Sequence, residues 1–354
     1  MSSWRLECPF CRIEGLSGRS CPECGGPLDA RSNGSLTRLE GRGVWKYREL
    51  LPPFEGEPVT LFEGDTPLYE CGGFFVKFEG SNPTGSFKDR GMTVAVSIAK
   101  ASGARRLVCA STGNTSASLA AYAARAGLES VAYLPEGKVA AGKLVQALAC
   151  GMRVIPIGGG FEAAMTRCGT ESLNDSVPMN SVNPARIEGQ KTLAFEICDA
   201  LGRAPDAVIL PVGNGGNIRA LWKGFREYER LRWIARLPRM IAVQAEGAAW
   251  LVHGPIERPE TVATAIRIGK PAHARYVQAA IDESGGQVVI VSDAEILLAQ
   301  RELARRHGVF VEPASAAPVA ARSKLRLAGI VVCVATGHGL KDPDIIAYRA
   351  TAEG

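Results

Sequence analysis

Along most of this chain, short runs of consecutive apolar residues alternate with longer stretches in which apolar residues return every three or four positions. The short runs predict strands at 73–78, 106–110, 131–134, 153–157, 207–212, 240–244, 287–291 and 329–335. The stretches with helical spacing predict helices at 91–101, 116–126, 140–149, 189–201, 218–231, 293–307 and 314–327. A strand with one wet face alternates apolar and polar residues; a continuous run belongs to a strand covered on both faces. Strand followed by helix, over and over, predicts parallel sheets with helical crossovers. Ligands then belong in the loops that leave the carboxyl ends of the strands. The first 35 or so residues break the pattern. They are rich in Cys, Gly, Pro and Ser and poor in aliphatics, so they cannot bury an ordinary core, and 31–43 reads as a linker.

Composition narrows the class. A chain of 354 residues suggests two domains at about 100–200 residues each. With 46% hydrophobic and 22% charged residues it has enough apolar surface for a large core, which excludes disorder as the main state. A net charge of +5 is too small to argue for nucleic acid, though it suits anionic metabolites. No run approaches the roughly 20 apolar residues that span a bilayer, and the first residues carry no apolar leader. A cytoplasmic enzyme with no membrane partner is the expectation.

Four of the ten cysteines fall in the first 24 residues as Cys8-x2-Cys11 and Cys21-x2-Cys24. Each pair places two thiolates at one tight turn, and two such turns complete a tetrahedral sulfur shell for Zn2+. The nine residues between the pairs are fewer than the usual 15–20 or so, but ribbon loops vary. Gly25 and Gly26 give the second turn the freedom it needs. Four thiolates leave no open position, so such a metal holds structure and does no chemistry. Disulfides or a redox pair are the alternatives. The other six cysteines sit singly among apolar neighbours and read as small buried hydrophobes.

Four polar, glycine-bearing segments lie where the pattern predicts loops opening onto helices. In 81–91, Lys88 stands at a helix start, where the field favours anions. That field and desolvation both lower an ammonium pKa, as an imine-forming lysine requires; a surface lysine beside a capping serine is the plainer alternative. In 111–118, hydroxyls, the Asn114 amide and helix N–H groups form a receptor for carboxylate or phosphate, beyond what capping alone needs. Gly213-Asn214-Gly215-Gly216-Asn217 lets backbone N–H groups converge on a phosphate, although a plain tight turn has the same composition. In 335–343, Thr336 follows the last predicted strand, and His338 is either a general base or a structural hydrogen-bonder.

Taken together, these segments resemble the threonine synthases, pyridoxal-phosphate enzymes of fold type II. The matching stretches are 82–90, 111–118, 213–217 and Thr336-Gly-His-Gly-Leu-Lys-Asp-Pro343, with 263–271 and Glu312-Pro-Ala-Ser-Ala316 in support. The likeness runs from about residue 64 to 343, and some members also carry a four-cysteine ribbon. It implies two open parallel-type α/β domains with pyridoxal 5'-phosphate between them. The expected division is a ribbon at 1–35, a large cofactor domain at 36–88 and 186–354, and a small mobile α/β domain at 89–185. It implies that Lys88 bonds to the cofactor and shuttles protons, that Gly213, Asn214, Gly215, Gly216 and Asn217 hold its phosphate, that Asn114 faces its 3′-oxygen, and that Thr336 meets the pyridine nitrogen. Ser111, Thr112 and Thr115 would take the substrate carboxylate. The stretch 180–190 resembles the family's substrate-phosphate site, with Arg186 offering a planar fork beside Asn180 and Ser181; a surface salt bridge is the alternative for Arg186.

The reaction so implied is O-phospho-L-homoserine plus water to L-threonine plus phosphate. Competing readings are a cysteate-synthase-like replacement on O-phosphoserine and another fold type II amino-acid lyase. A zinc-ribbon interaction or nucleic-acid protein with an inactive body is the reading from a different class. Intact Lys88 and three anion-competent loops count against that last one. The arginines at 226, 230, 232, 236 and 239 read as a solvated face interrupted by Glu227 and Glu229. Family members are commonly dimers, so a homodimer is implied, and no effector domain is expected.

Overall fold

The computed structural model describes residues 4–31, 39–136, 141–170 and 176–343. Residues 32–38 of the expected linker and Ala140 of an expected helix lie outside these. In chain order the strands are β1 (Arg5–Cys8), β2 (Ile13–Leu16), β3 (Asp29–Arg31), β4 (Leu68–Glu70), β5 (Phe75–Phe78), β6 (Arg106–Cys109), β7 (Glu129–Pro135), β8 (Arg153–Ile157), β9 (Ser176–Pro178), β10 (Ala207–Pro211), β11 (Arg239–Ala245), β12 (Gln287–Val291) and β13 (Val331–Ala335). The helices are α1 (Lys88–Ala101), α2 (Asn114–Ala126), α3 (Ala141–Ala149), α4 (Gly160–Thr170), α5 (Pro184–Leu201), α6 (Gly216–Arg230), α7 (Trp250–His253), α8 (Ala274–Glu283), α9 (Asp293–His307) and α10 (Pro313–Ser323). No described helix is long and apolar enough to cross a membrane.

The chain divides into two compact units, Met1–Asp65 with Lys88–Thr192, and Thr66–Phe87 with Leu193–Gly354. The first holds a three-stranded antiparallel sheet, β2-β1-β3, and a four-stranded parallel sheet, β8-β7-β6-β9. Along β6 and β7, Leu107, Cys109, Ala132 and Leu134 join Met92, Leu119 and Leu144 in one core, whereas Val108, Val131 and Tyr133 join Ala164 and Cys168 in another. Each face is covered, which is why these strands read as unbroken apolar runs. Pro156 in β8 and Pro178 in β9 lie on the two edges of this sheet, where a missing ladder donor costs least.

The second unit is built on a six-stranded sheet, β12-β11-β10-β13-β5-β4, parallel except for β4. Ile209, Ile241, Val243 and Cys333 pack with Ile296, Leu303, Ala317 and Ala321 of α9 and α10. A buried polar network holds the segment after β5. Lys77 Nζ donates to Glu196 at 2.9 Å and to the Thr66 carbonyl at 2.6 Å, and Thr66 Oγ1 donates to Glu79 at 2.6 Å. Asn82 Nδ2 donates to the other Glu79 carboxylate oxygen at 3.0 Å. Every charge in this network has a partner, as burial demands, and the result fixes the path of the chain toward residue 87.

Within the first unit, α1 crosses α5 at two glycines. A Cβ on Gly189 would collide with the Arg90 carbonyl, and one on Gly91 would reach the Arg186 carbonyl oxygen. Gly189→Ala is therefore expected to lower the unfolding free energy by about 3 kcal/mol through overpacking, read from urea melts; an unchanged midpoint would contradict so close a crossing.

Candidate active site

The loop after β6 opens α2 with no side-chain cap, so its hydroxyls are not spent on capping. Gly113 is the N-cap residue; Ser111 Oγ accepts from the Gly113 N–H at 3.3 Å, and Ser111, Thr112, Asn114 and Thr115 are all half-buried. Asn180 ties this loop to the chain leading into α5. Its Oδ1 accepts from Ala110 N at 3.3 Å and its Nδ2 donates to Ala110 O at 3.4 Å. Cys168 Sγ donates to the same Oδ1 at 3.2 Å. The Asn180 amide thus positions the loop after β6 against the chain leading into α5.

Arg186 lies on the first turn of α5 and is only 1% exposed. Its Nη1 donates to the Met179 carbonyl at 3.0 Å, while Nε and Nη2 are buried without a partner. Burial lowers its pKa to about 10, with the Cys109 thiol pulling it back up. That rules out a surface salt bridge. A buried guanidinium with two idle donors is costly unless an acceptor, such as water or an anion, meets them. Ser181, also singled out in the sequence, is half-buried at the same corner.

Lys88 is half-buried at the first position of α1. The next residues anchor it: Asp89 is fully buried and accepts from Ser118 Oγ of α2 at 2.6 Å, and Arg90 Nη1 donates to Thr192 Oγ1 at 3.3 Å. Asp89 in the first turn also suits the positive end of the helix.

In the second unit, residues 213–217 join β10 to α6. Gly215 is the N-cap at φ +85, a left-handed conformation, and a Cβ there would strike Val277 Cγ2. A Cβ on Gly213 would come within 2.8 Å of Ile266 Cα, and the Gly213 carbonyl accepts from Trp250 Nε1 at 2.9 Å. Asn214 Oδ1 accepts from Ala272 N at 2.6 Å. Asn217 is 7% exposed, and neither Oδ1 nor Nδ2 has a partner. An amide buried with both ends idle is costly unless water or a ligand meets it.

Thr336 follows β13 and is buried; its Oγ1 lies 2.9 Å from Ser315 Oγ, and its carbonyl accepts from Phe87 N at 3.0 Å. Sequence reading noted 312–316 but gave Ser315 no role. It also passed over Trp250 and the Lys77–Glu196 network, whose members lie far apart in the chain. His338 Nδ1 accepts from Leu340 N at 3.1 Å, which needs that nitrogen unprotonated.

Near the amino terminus, the sulfurs of Cys8, Cys11, Cys21 and Cys24 all lie within 4.8 Å of one another. The two turns match: Arg12 N donates to Cys8 O at 2.8 Å and Gly25 N to Cys21 O at 2.9 Å, with Arg12 at φ +59 and Gly25 at φ +68. The Cys8 and Cys24 sulfurs are 3.7 Å apart, close to the ~3.8 Å edge of a tetrahedron with Zn–S near 2.3 Å. The donor set and its spacing fit Zn2+. In the second unit, Arg226 and Arg236 pair with Glu283 at 3.0 Å and Asp206 at 2.6 Å.

Residues 59–337 match the family model described as pyridoxal-phosphate dependent enzyme. A curated threonine synthase of Methanocaldococcus jannaschii is 49% identical, over 94% of this chain and 90% of the relative. Another, from Halalkalibacterium halodurans, is 52% identical over 84% of this chain and 89% of its own length. The solved structure of maize serine racemase superposes with a TM-score of 0.69 at 20% identity, covering 81% of this chain and 92% of that one; at that identity the likeness is one of fold.

His338 is pushed below the usual 6.5 by burial and by Lys341. A group whose pKa falls on folding stabilises the fold above its unfolded value and loses that contribution as pH drops. An NMR titration is expected to place its midpoint below 6.5; a midpoint above it would overturn this account of its surroundings.

Proposed function

The chain belongs to the family of pyridoxal-phosphate dependent enzymes, and from that premise we propose that it converts O-phospho-L-homoserine and water to L-threonine and phosphate. The observation that carries this reading is the likeness to curated threonine synthases over most of the chain. The idle donors of Arg186 support the phosphorylated substrate. Among the described residues the cofactor's phosphate has a suitable seat at 213–217, where the helix start carries no side-chain cap and Asn217 holds an unused donor and acceptor.

When bound, pyridoxal phosphate supplies the electron sink that lets protons leave carbons beside the amino group. Lys88 would hold that group, and its Nζ would take the α and then the β proton, whose loss lets phosphate leave Cγ, and return protons at Cγ and Cα. Asn114 would hold the ring hydroxyl oxygen, and Thr336 the ring nitrogen. Ser111, Thr112 and Thr115 orient the substrate carboxylate at the start of α2, fixing which bond at Cα is labile. Arg186 and Ser181 bind the substrate phosphate, and Asn180 keeps their corner in register with residue 110. The seat does double duty, since it binds the substrate and then stabilises the dianion that leaves Cγ. Water adds at Cβ to give the threonine hydroxyl.

The purified protein with pyridoxal phosphate is expected to release phosphate and threonine in equal amounts from O-phosphohomoserine, and Lys88→Ala to abolish both. A yellow protein that leaves this substrate intact but consumes O-phosphoserine with sulfite would keep the family and sink the substrate.

We also assign Cys8, Cys11, Cys21 and Cys24 to one structural Zn2+. Elemental analysis is expected to find about one zinc per chain, lost with mercurial titration of the four thiolates. Cys8→Ser with Cys11→Ser should remove the metal, and a metal-free protein with a fully ordered ribbon would refute the assignment.

A further inference from the structure

Ser315 and Thr336 sit 21 residues apart in the chain with their hydroxyl oxygens 2.9 Å apart, one fully buried and the other 4% exposed. Ser315 Oγ also accepts the Gly337 N–H at 2.8 Å. These are the only polar partners of the two hydroxyls among the described residues. Counting hydrogens then decides who donates. The Gly337 N–H can only give, so it takes one acceptor site on Ser315 Oγ. The Ser315 hydrogen has one acceptor in reach, Thr336 Oγ1. Were Thr336 to donate to Ser315 instead, the Ser315 hydrogen would be buried with no acceptor at all, the costly arrangement. The chain of donation therefore runs from Gly337 N–H to Ser315 to Thr336 and leaves the Thr336 O–H as its unspent end.

We propose that Ser315 is a positioning residue that fixes the Thr336 hydroxyl as a donor and thereby holds the cofactor's ring nitrogen unprotonated. The inference rests on the reading above that Thr336 meets that nitrogen. With a neutral ring nitrogen, three donors face three acceptors and all are satisfied. A protonated ring would add a fourth donor, and one hydroxyl hydrogen would be stranded in a buried site. The consequence is a milder electron sink, set by a residue that does not touch the cofactor. A fixed carboxylate at the same place would do the opposite.

The test is NMR of holoenzyme reconstituted with pyridoxal phosphate labelled with nitrogen-15 in the ring. The wild-type signal is expected at the neutral position in mildly acidic and mildly basic buffer alike. In Ser315→Ala the Thr336 hydroxyl is free to turn and accept, so the protonated-to-neutral ratio should rise about tenfold, the effect of one hydrogen bond. Steady-state kinetics should show a changed kcat with little change in KM. If Ser315→Ala keeps the wild-type signal while Thr336→Val moves it, the role of Ser315 is overturned and the Thr336 reading stands. If neither variant moves the signal, Thr336 is not at the ring nitrogen and the underlying reading fails. Should Ser315→Ala fold poorly in thermal melts, Ser315→Cys, a weak donor of similar size, carries the same readout. A cysteine variant matching wild type throughout would contradict the proposal.

Discussion

The proposed chemistry hangs on hydrogen-bond donors that the fold gathers and does not use. Helix starts leave their first N–H groups without intrahelical partners, and neither α2 nor α6 has a side-chain cap. Asn217 adds an amide with both ends idle, and Arg186 adds two guanidinium nitrogens. Each would be a liability if neither water nor a ligand met it. The parallel sheets explain how they arise: every crossover brings a helix start to the carboxyl end of a strand, so polar ends gather there without special design.

What keeps those donors in place is packing that tolerates little change. The 213–217 loop is fixed by a left-handed Gly215 backed by Val277 and by the Trp250 bond to Gly213. Arg186 is fixed by the glycine crossing of α1 with α5 and by the Met179 carbonyl. Asn180 holds residue 110 by both its N–H and its carbonyl. These residues do their work by making neighbours immobile, which is the part of a site that must be right to a fraction of an ångström.

The strands covered on both faces were legible because their apolar runs are unbroken, and β8, β12 and α9 keep the expected bounds. The misses have physical causes. Helix α1 starts three residues before the expected position and α5 five, because Asp89, Arg90, Arg186 and Glu188 are polar yet buried. Polarity there belongs to buried hydrogen bonds and ion pairs, not to a surface. Strands β4 and β9 have three residues each, too few for a period to register. Helix α8 buries only Val277, Ala280 and Ile281 of its ten residues, and α4 is interrupted in sequence by Gly169 and threonines. Expected helix 314–327 stops at Ser323, where Lys324 leaves to bond the Ile290 carbonyl and Glu295. The candidate site residues were legible as types in loops; Ser315 was not, since a hydroxyl pair across 21 residues leaves no local pattern.

The most direct test of this account is a crystal structure with pyridoxal phosphate and an unreactive phosphonate analogue of O-phosphohomoserine. The account predicts the cofactor phosphate against the 213–217 N–H groups and the Asn217 amide, and the phosphonate on Nε and Nη2 of Arg186. A phosphonate bound elsewhere, with the Arg186 nitrogens still without an anion, would contradict it.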